Sequence, residues 1–265
     1  ELAPEEPARS APAALPDAGY WLLGSRLQAP GEIRLLLDAG PLGYTSIAAH
    51  GHADALSLLL TVDGRPVLID PGTFAYHTNA KWRRYFRGTT AHNTLVVDDE
   101  DQSLQAGSFM WLKHAQARCL RCGRDGEKQV WEGEHTGYGR LVDPVTHRRR
   151  VSFDERSRQI DVVDEVHCNA THEAALHWHM PDTCQVRLDQ GAAIIETGPI
   201  RVTLAMADSA LRASLHRGEH DPPLGWESTS FDRKAAATTL RYSGQVTGVA
   251  KLHTTIAISE MDDRA

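Results

Sequence analysis

The chain has 265 residues, of which 41% are hydrophobic and 24% charged, with a formal net charge of −7. That is enough apolar material for one large core, and the acidic balance argues against a nucleic-acid surface. No apolar run approaches the roughly 20 residues a membrane-spanning helix needs, and a start at Glu1 leaves any signal peptide or upstream domain out of view.

Residues 1–19, ELAPEEPARSAPAALPDAG, mix Pro, Ala and Glu without a period. They read as a linker or poorly ordered arm ahead of one domain, 20–265. YWLLGS and EIRLLLDAG then read as strands. LSLLLTV, Asp63-Gly64 and RPVLID form a hairpin signal, because Asp-Gly supplies the positive φ angles of a tight turn. A short helical turn is expected only near AYHTNAKWRRYF.

Strand-like runs continue to the C-terminus: TLVVD, SFMWLKHAQARC, QVWEGEHTGY, RRRVSFD, RQIDVVDEVH, AALHWHM, AAIIETGPIRVTLAMA and VAKLHTTIAIS. In RQIDVVDEV, Ile160, Val162 and Val166 share one face. In AALHWHM, His177 and His179 lie opposite Leu176, Trp178 and Met180, as a solvent- or groove-facing pair. Residues 211–236 are weakly patterned and read as a long loop. More than ten strands at this spacing predict an all-β fold, a large antiparallel β-sandwich of two sheets. The four cysteines include Cys119 and Cys122 at CxxC spacing, but a zinc ribbon would need a second such pair. A strand through them puts the two thiols on opposite faces.

The chemistry concentrates in AHGHADALSLLLTVDGRPVLIDPGTFAYH, residues 49–77. His50 and His52 on one strand would stand about 7 Å apart, too far to share one ion without a bend. The hairpin returns Asp70 beside the start of its first strand, and His92 opens the strand TLVVD. His52, Asp70 and His92 would make a two-His, one-carboxylate site suited to Zn²⁺, and also to Fe²⁺. Equally, Asp70 could simply cap the turn before Pro71-Gly72. Lys81, Arg83, Arg84 and Arg87 form a local basic patch around Tyr85, readable as an anion site or as a solvated loop. Cationic neighbours would lower the phenol pKa. Arg148-Arg149-Arg150 reads as solvated strand or edge protection.

Taken in order, HGHAD, DPGT, YFR and AHNT, spanning about residues 44–104, resemble the β-sandwich half of heparinase II/III-like polysaccharide lyases, a group related to alginate lyases. A looser resemblance in strand pattern runs over most of the rest. It implies that His52, Asp70 and His92 hold a structural zinc. His50 would face the substrate cleft, and Tyr85 would assist proton transfer. Arg83, Arg84, Arg87 and Asn93 would bind substrate. It further implies an acidic, uronic-acid-containing polysaccharide as substrate, of the heparin, heparan or alginate kind, cleaved by β-elimination. An upstream (α/α) toroid would supply the remaining catalytic groups, so this stretch alone is expected to be inactive. The expected location is periplasmic or secreted, and a homodimer stays open. Two other readings stand beside this one. One is a non-catalytic carbohydrate-binding sandwich. The other is an Fe²⁺ oxygenase using His52, Asp54 and a distal histidine.

Overall fold

The computed structural model describes residues 13–44, 46–207 and 211–261. Two antiparallel sheets enclose one main hydrophobic core, the sandwich that the strand patterning predicts. The smaller sheet runs in sequence order through β1 (Ala13–Leu15), β2 (Tyr20–Ser25), β3 (Ile33–Asp38), β4 (Leu58–Val62) and β5 (Arg65–Leu68). Strict alternation builds its inner face: Ile33, Leu35 and Leu37 on β3 and Leu58, Leu60 and Val62 on β4 are buried, while the residues between them are half-buried. Asp63 and Gly64 take φ angles of 48° and 73°, the turn their sequence predicts. Ala13–Leu15, expected to lie in the arm, instead pairs with β2, and residues 1–12 lie outside the described residues.

The larger sheet is built around two long paired strands, Gln159–Met180 and Thr238–Glu260. Thr146–Asp154, Lys128–His135 and Ala117–Asp125 extend it on one side, and Ile200–Ala207, Ala192–Thr197 and Gln185–Asp189 on the other. Trp131, Phe153, Ile160, Val162, Leu176 and Trp178 fill the space between the sheets. Residues 211–236 are not the expected loop. Arg212–Arg217 pairs with Thr238–Glu260, and two short hairpins follow, Glu219–His220 with Pro223–Leu224 and Trp226–Ser230 with Arg233–Ala236. Their side chains are largely half-exposed, so backbone pairing holds them without the apolar alternation that betrays a strand.

The cysteine pair also differs from expectation. Cys119 lies opposite Gly133 and Cys122 opposite Trp131, with a bulge between them at Leu120. The extra residue returns both thiols to one face, where they pack as free, half-buried groups against the core.

The largest departure lies in the basic run. Thr146–Asp154 is an interior strand, and Arg149 points inward and is fully buried, with Asp164 opposite. The guanidinium holds Asp164 through Nε (2.7 Å) and NH2 (3.2 Å). His147 Nε2 lies 2.6 Å from the same carboxylate, and His135 Nε2 lies 3.1 Å from His147 Nδ1. The Gly137 amide donates to His135 Nδ1. That fixes the protons: His135 donates through Nε2 to His147, and His147 donates through Nε2 to Asp164. Burial holds both imidazoles below their ordinary pKa, so both are neutral donors. For Asp164, burial raises the carboxyl, but the charge of Arg149 and the hydrogen bonds from His147 and Arg149 together outweigh it and the pKa falls to about 2.

Asp164 therefore contributes stability above its unfolded pKa of 3.8 that is lost as pH falls toward about 2. Replacing Arg149 with Met leaves a buried carboxylate without its cation, and should cost about 3–5 kcal/mol. Urea unfolding at pH 7 checks the cost. The acid-unfolding midpoint should also move to higher pH, and an unchanged midpoint in both titrations contradicts the assignment.

Candidate metal centre and cleft

The hairpin β4–β5 brings Asp70 back to the loop 48–57 that precedes β4. There His52, Asp54, Asp70 and His92 gather with ligand atoms within 4.8 Å of one another. His50 and His52 do not lie on a strand, as the spacing argument assumed; both sit in the loop, so the separation set by strand rise does not apply. His92 Nδ1 lies 3.0 Å from Asp70 Oδ2 and the His52 and His92 rings are 5.2 Å apart. The other Asp70 oxygen, Oδ1, accepts the Gly72 amide at 2.8 Å. One oxygen thus caps the turn and the other faces His92. Gly72 is obligatory there, since a Cβ would come within 2.1 Å of the Ser228 carbonyl and φ is +82°.

Backbone contacts fix this loop from several sides. The Ala53 amide donates to the Arg87 carbonyl at the end of helix α1 (Ala80–Arg87), and the Leu56 amide to the Asp38 carbonyl. Thr94 Oγ1 and Gln102 Nε2 both donate to the Ala55 carbonyl. Arg149 NH1 donates to the carbonyls of Leu56 and Asn93, each at 2.7 Å, which ties the loop to the residue after His92.

Burial lowers His52 to about 3, so it is a neutral imidazole with a lone pair free to ligate. Burial alone would also lower His92, but its hydrogen bond to Asp70, together with the charges of Asp70 and Asp54, reverses the direction and raises it. Asp70 is raised by burial and carried down to about 2 by the hydrogen bond and charge of His92. Burial pushes Asp54 up to about 6. Burial, then Asp54, pushes Asp38 up to about 8. Asp38 in turn is the main cause of Tyr20 rising to about 12. This donor set suits a divalent ion: two imidazoles and two carboxylates meet with surplus negative charge. The remaining His92 nitrogen, Nε2, is buried and lacks a hydrogen-bond partner among the described residues.

Beside the cluster opens a cleft of ≈340 Å3 lined by Tyr20, Asp38, Tyr44, His50, His52 and Thr73 among others. His50 is exposed at its rim with its ring 5.3 Å from Tyr76. Tyr76 in turn packs against Phe109 and Phe231, and the Arg83 guanidinium lies 5.0 Å from the Tyr76 ring centre. Sequence reasoning passed over Tyr76, although it stands six residues after Asp70 in DPGTFAYH; Asp38 and Tyr20 carried no motif at all.

Tyr85 is buried on the packed face of α1, with its hydroxyl against the Gly225 and Trp226 amides. Burial raises its pKa, the reverse of the lowering expected from basic neighbours. Those neighbours are not a solvated patch either. Arg83 and Arg87 are 1% and 0% exposed. They donate to the carbonyls of Ala49, Ser108 and Gly107, and burial lowers both to about 10. Only Arg84 and Lys81 face solvent. Helical periodicity explains the split, since positions 83 and 87 share the core-facing stripe. Asn93 is equally internal: it donates to the carbonyls of Leu58 and Ile69 and accepts the His179 amide at 2.6 Å. His177 and His179 are buried at 2% exposure, against the solvent- or groove-facing reading, and Leu95–Val97 pairs along the edge of their strand.

Residues 7–259 match the family described as heparinase II/III-like, C-terminal, and the chain belongs to that family. Among solved structures it is similar to a heparinase III (TM-score 0.78, 17% identity), with 98% of this chain and 38% of that one aligned. It is also similar to the heparan sulfate lyase HepC from Pedobacter heparinus (TM-score 0.76, 16% identity, 94% of this chain and 36% of that one). A second heparinase III aligns at TM-score 0.77 and 18% identity, over 96% of this chain and 37% of that one. The chain thus spans well under half the length of these structures. No curated protein matches.

Asn93 holds three segments at once, so Asn93→Ala should destabilise the protein by about 3 kcal/mol or more, through buried groups left unpaired. Denaturant unfolding measures this; a loss under about 1 kcal/mol would return Asn93 to a role at the surface of the cleft.

Proposed function

We propose that this chain is the C-terminal sandwich of a polysaccharide lyase that cleaves uronic-acid-containing polymers by β-elimination, and that turnover needs a further domain. Family membership supports the lyase class, and the fraction of each relative's length that is matched supports a missing partner domain. The observation that carries the reading is the placement of exposed His50 against Tyr76, at the mouth of a cleft floored by His52, Asp54 and Asp38. A periplasmic or secreted site of action follows as part of this proposal, since acidic polymers are met there.

The C5 proton of a uronate is weakly acidic because the neighbouring carboxylate resists further negative charge. Elimination therefore needs neutralisation of that carboxylate, a base for C5 and an acid for the departing oxygen. Stabilising the developing enediolate is the larger contribution, and acid–base assistance adds about 10²–10⁴. In this reading His50 and Tyr76 are the catalytic residues of this half, moving protons at the C5 and glycosidic oxygen positions. Tyr85 is buried and borders a separate cavity with Lys81, Arg84 and Thr90, whereas Tyr76 touches His50, so this reading gives the proton-transfer role to Tyr76. Zinc, held by His52, Asp70 and His92 with Asp54 beside them, would supply structural cross-linking and positive charge under the cleft. Arg84 remains as a solvent-facing cation for the polymer, and Arg83 acts as a positioning residue behind Tyr76.

In the intact protein, Tyr76→Phe should cut the rate of unsaturated-uronate formation by about 100-fold or more, while Tyr85→Phe leaves it nearly unchanged. The opposite ranking sinks the assignment. Glycan binding without absorbance from unsaturated product, even with the partner domain present, would mark a binding module instead.

His52→Ala and His92→Ala should each remove one equivalent of zinc, measured by elemental analysis. Because a proton on His92 competes with the ion, zinc affinity should fall as pH drops. Full zinc retention in both variants would end the metal proposal. Zinc lost from Asp54→Ala but kept by Asp70→Ala would favour the oxygenase-type ligand set.

A further inference from the structure

A second group of metal-donor side chains lies away from the cleft, where the long strand Gln159–Met180 bulges between His167 and Thr171. Asp143, Cys168 and His172 present a carboxylate oxygen, a thiol and an imidazole nitrogen within 4.8 Å of one another. His172 Nε2 lies 3.0 Å from Asp143 Oδ2, near the roughly 3.3 Å that separates two light ligands on a tetrahedral zinc. Its other nitrogen, Nδ1, lies 2.6 Å from Asp98 Oδ2, and Asp98 Oδ1 accepts the Glu173 amide. That is the outer carboxylate which fixes the ring of a metal-bound histidine. Asp143 is placed just as firmly, by the amides of Asn169 and Ala170 and the Asn169 side chain. Cys168 is half-buried and bonded only loosely, 3.5 Å from the Gly248 carbonyl.

We propose that Asp143, Cys168 and His172 form a second metal site, selective for a thiophilic divalent ion such as Zn²⁺, with Asp98 as its outer-sphere partner. A thiolate and one carboxylate neutralise a divalent charge, and the soft sulfur favours zinc over magnesium or calcium. Three protein ligands with partial exposure leave a fourth position for water. An ion here would pin the loop at Asp143 to the bulge. It would thus anchor the large sheet where the register of its two longest strands shifts.

The sulfur ligand makes this site separable from the cleft cluster, which has none. Titrating the metal-free full chain with Co²⁺ should give a near-ultraviolet thiolate-to-cobalt charge-transfer band. Cys168→Ser and His172→Gln should each abolish it, whereas His52→Ala should leave it intact. No thiolate band at saturating Co²⁺ overturns the proposal, because the cluster is then only a histidine clamped by two aspartates. A band that survives Cys168→Ser overturns it too, pointing to Cys119 and Cys122. In the unaltered chain, Zn²⁺ should slow alkylation of Cys168 by about tenfold or more, read by peptide mass spectrometry, and leave Cys119 and Cys122 unaffected. An unchanged Cys168 rate contradicts the site without recourse to any variant.

Discussion

One buried ion pair organises the region on which the cleft depends. Arg149 takes both oxygens of Asp164 with one edge of its guanidinium and the carbonyls of Leu56 and Asn93 with the remaining NH1. The first contact lies within the large sheet; the second reaches two segments that carry candidate metal donors, the loop with His52 and Asp54 and the turn with His92. Replacing a buried pair by apolar groups is often neutral for stability. Here the same guanidinium also satisfies two interior carbonyls, which a hydrophobic side chain would leave unpaired. The neutral His135–His147 relay then occupies the last side of the carboxylate. Specific positioning, more than net stability, is what this arrangement offers.

The fold was readable because alternation and turn chemistry agree with it. Leu58, Leu60 and Val62 mark an inner face, Asp63-Gly64 a tight turn, and the expected helical turn near AYHTNAKWRRYF forms as α1. Where polar residues occupy inner positions, the same logic misleads. Asp164 falls on the face of Ile160, Val162 and Val166, and Arg149 on that of Val151 and Phe153. Taken alone, each looks like a solvated charge; only their pairing across two strands makes them internal. His177 and His179 misled in the same way, since their burial depends on the fold around their strand and not on its own alternation.

The candidate site was legible to a different depth. His52, Asp70 and His92 could be proposed because a hairpin predictably returns its own end, and Asp70 and His92 do meet at 3.0 Å. Asp38 joins them from the end of β3 and Tyr20 from the start of β2 opposite it, and neither position carries a local pattern that marks it. The basic run on α1 failed for a geometric reason. A helix turns Arg83 and Arg87 toward the core while Arg84 stays outside, so charge counted along the sequence is not charge displayed to a ligand.

That redistribution bears on how an acidic polymer could approach. With Arg83 and Arg87 committed to loop carbonyls, the cleft floor presents Asp38 and Asp54, with Asp70 beside them, against His52 and His92. Two like charges about 4 Å apart repel by roughly 4 kcal/mol at the effective dielectric of a protein surface. A uronate carboxylate drawn toward this floor would meet that repulsion unless the floor carried compensating charge. Protonation of Asp38, pushed up to about 8, removes one negative charge near neutral pH. A divalent ion between His52, Asp54, Asp70 and His92 would remove two more. The proposed ion would therefore have an electrostatic reason to lie beneath the cleft and not merely within the scaffold, since an ion that cross-linked the loops would also make the floor tolerable to a polyanion.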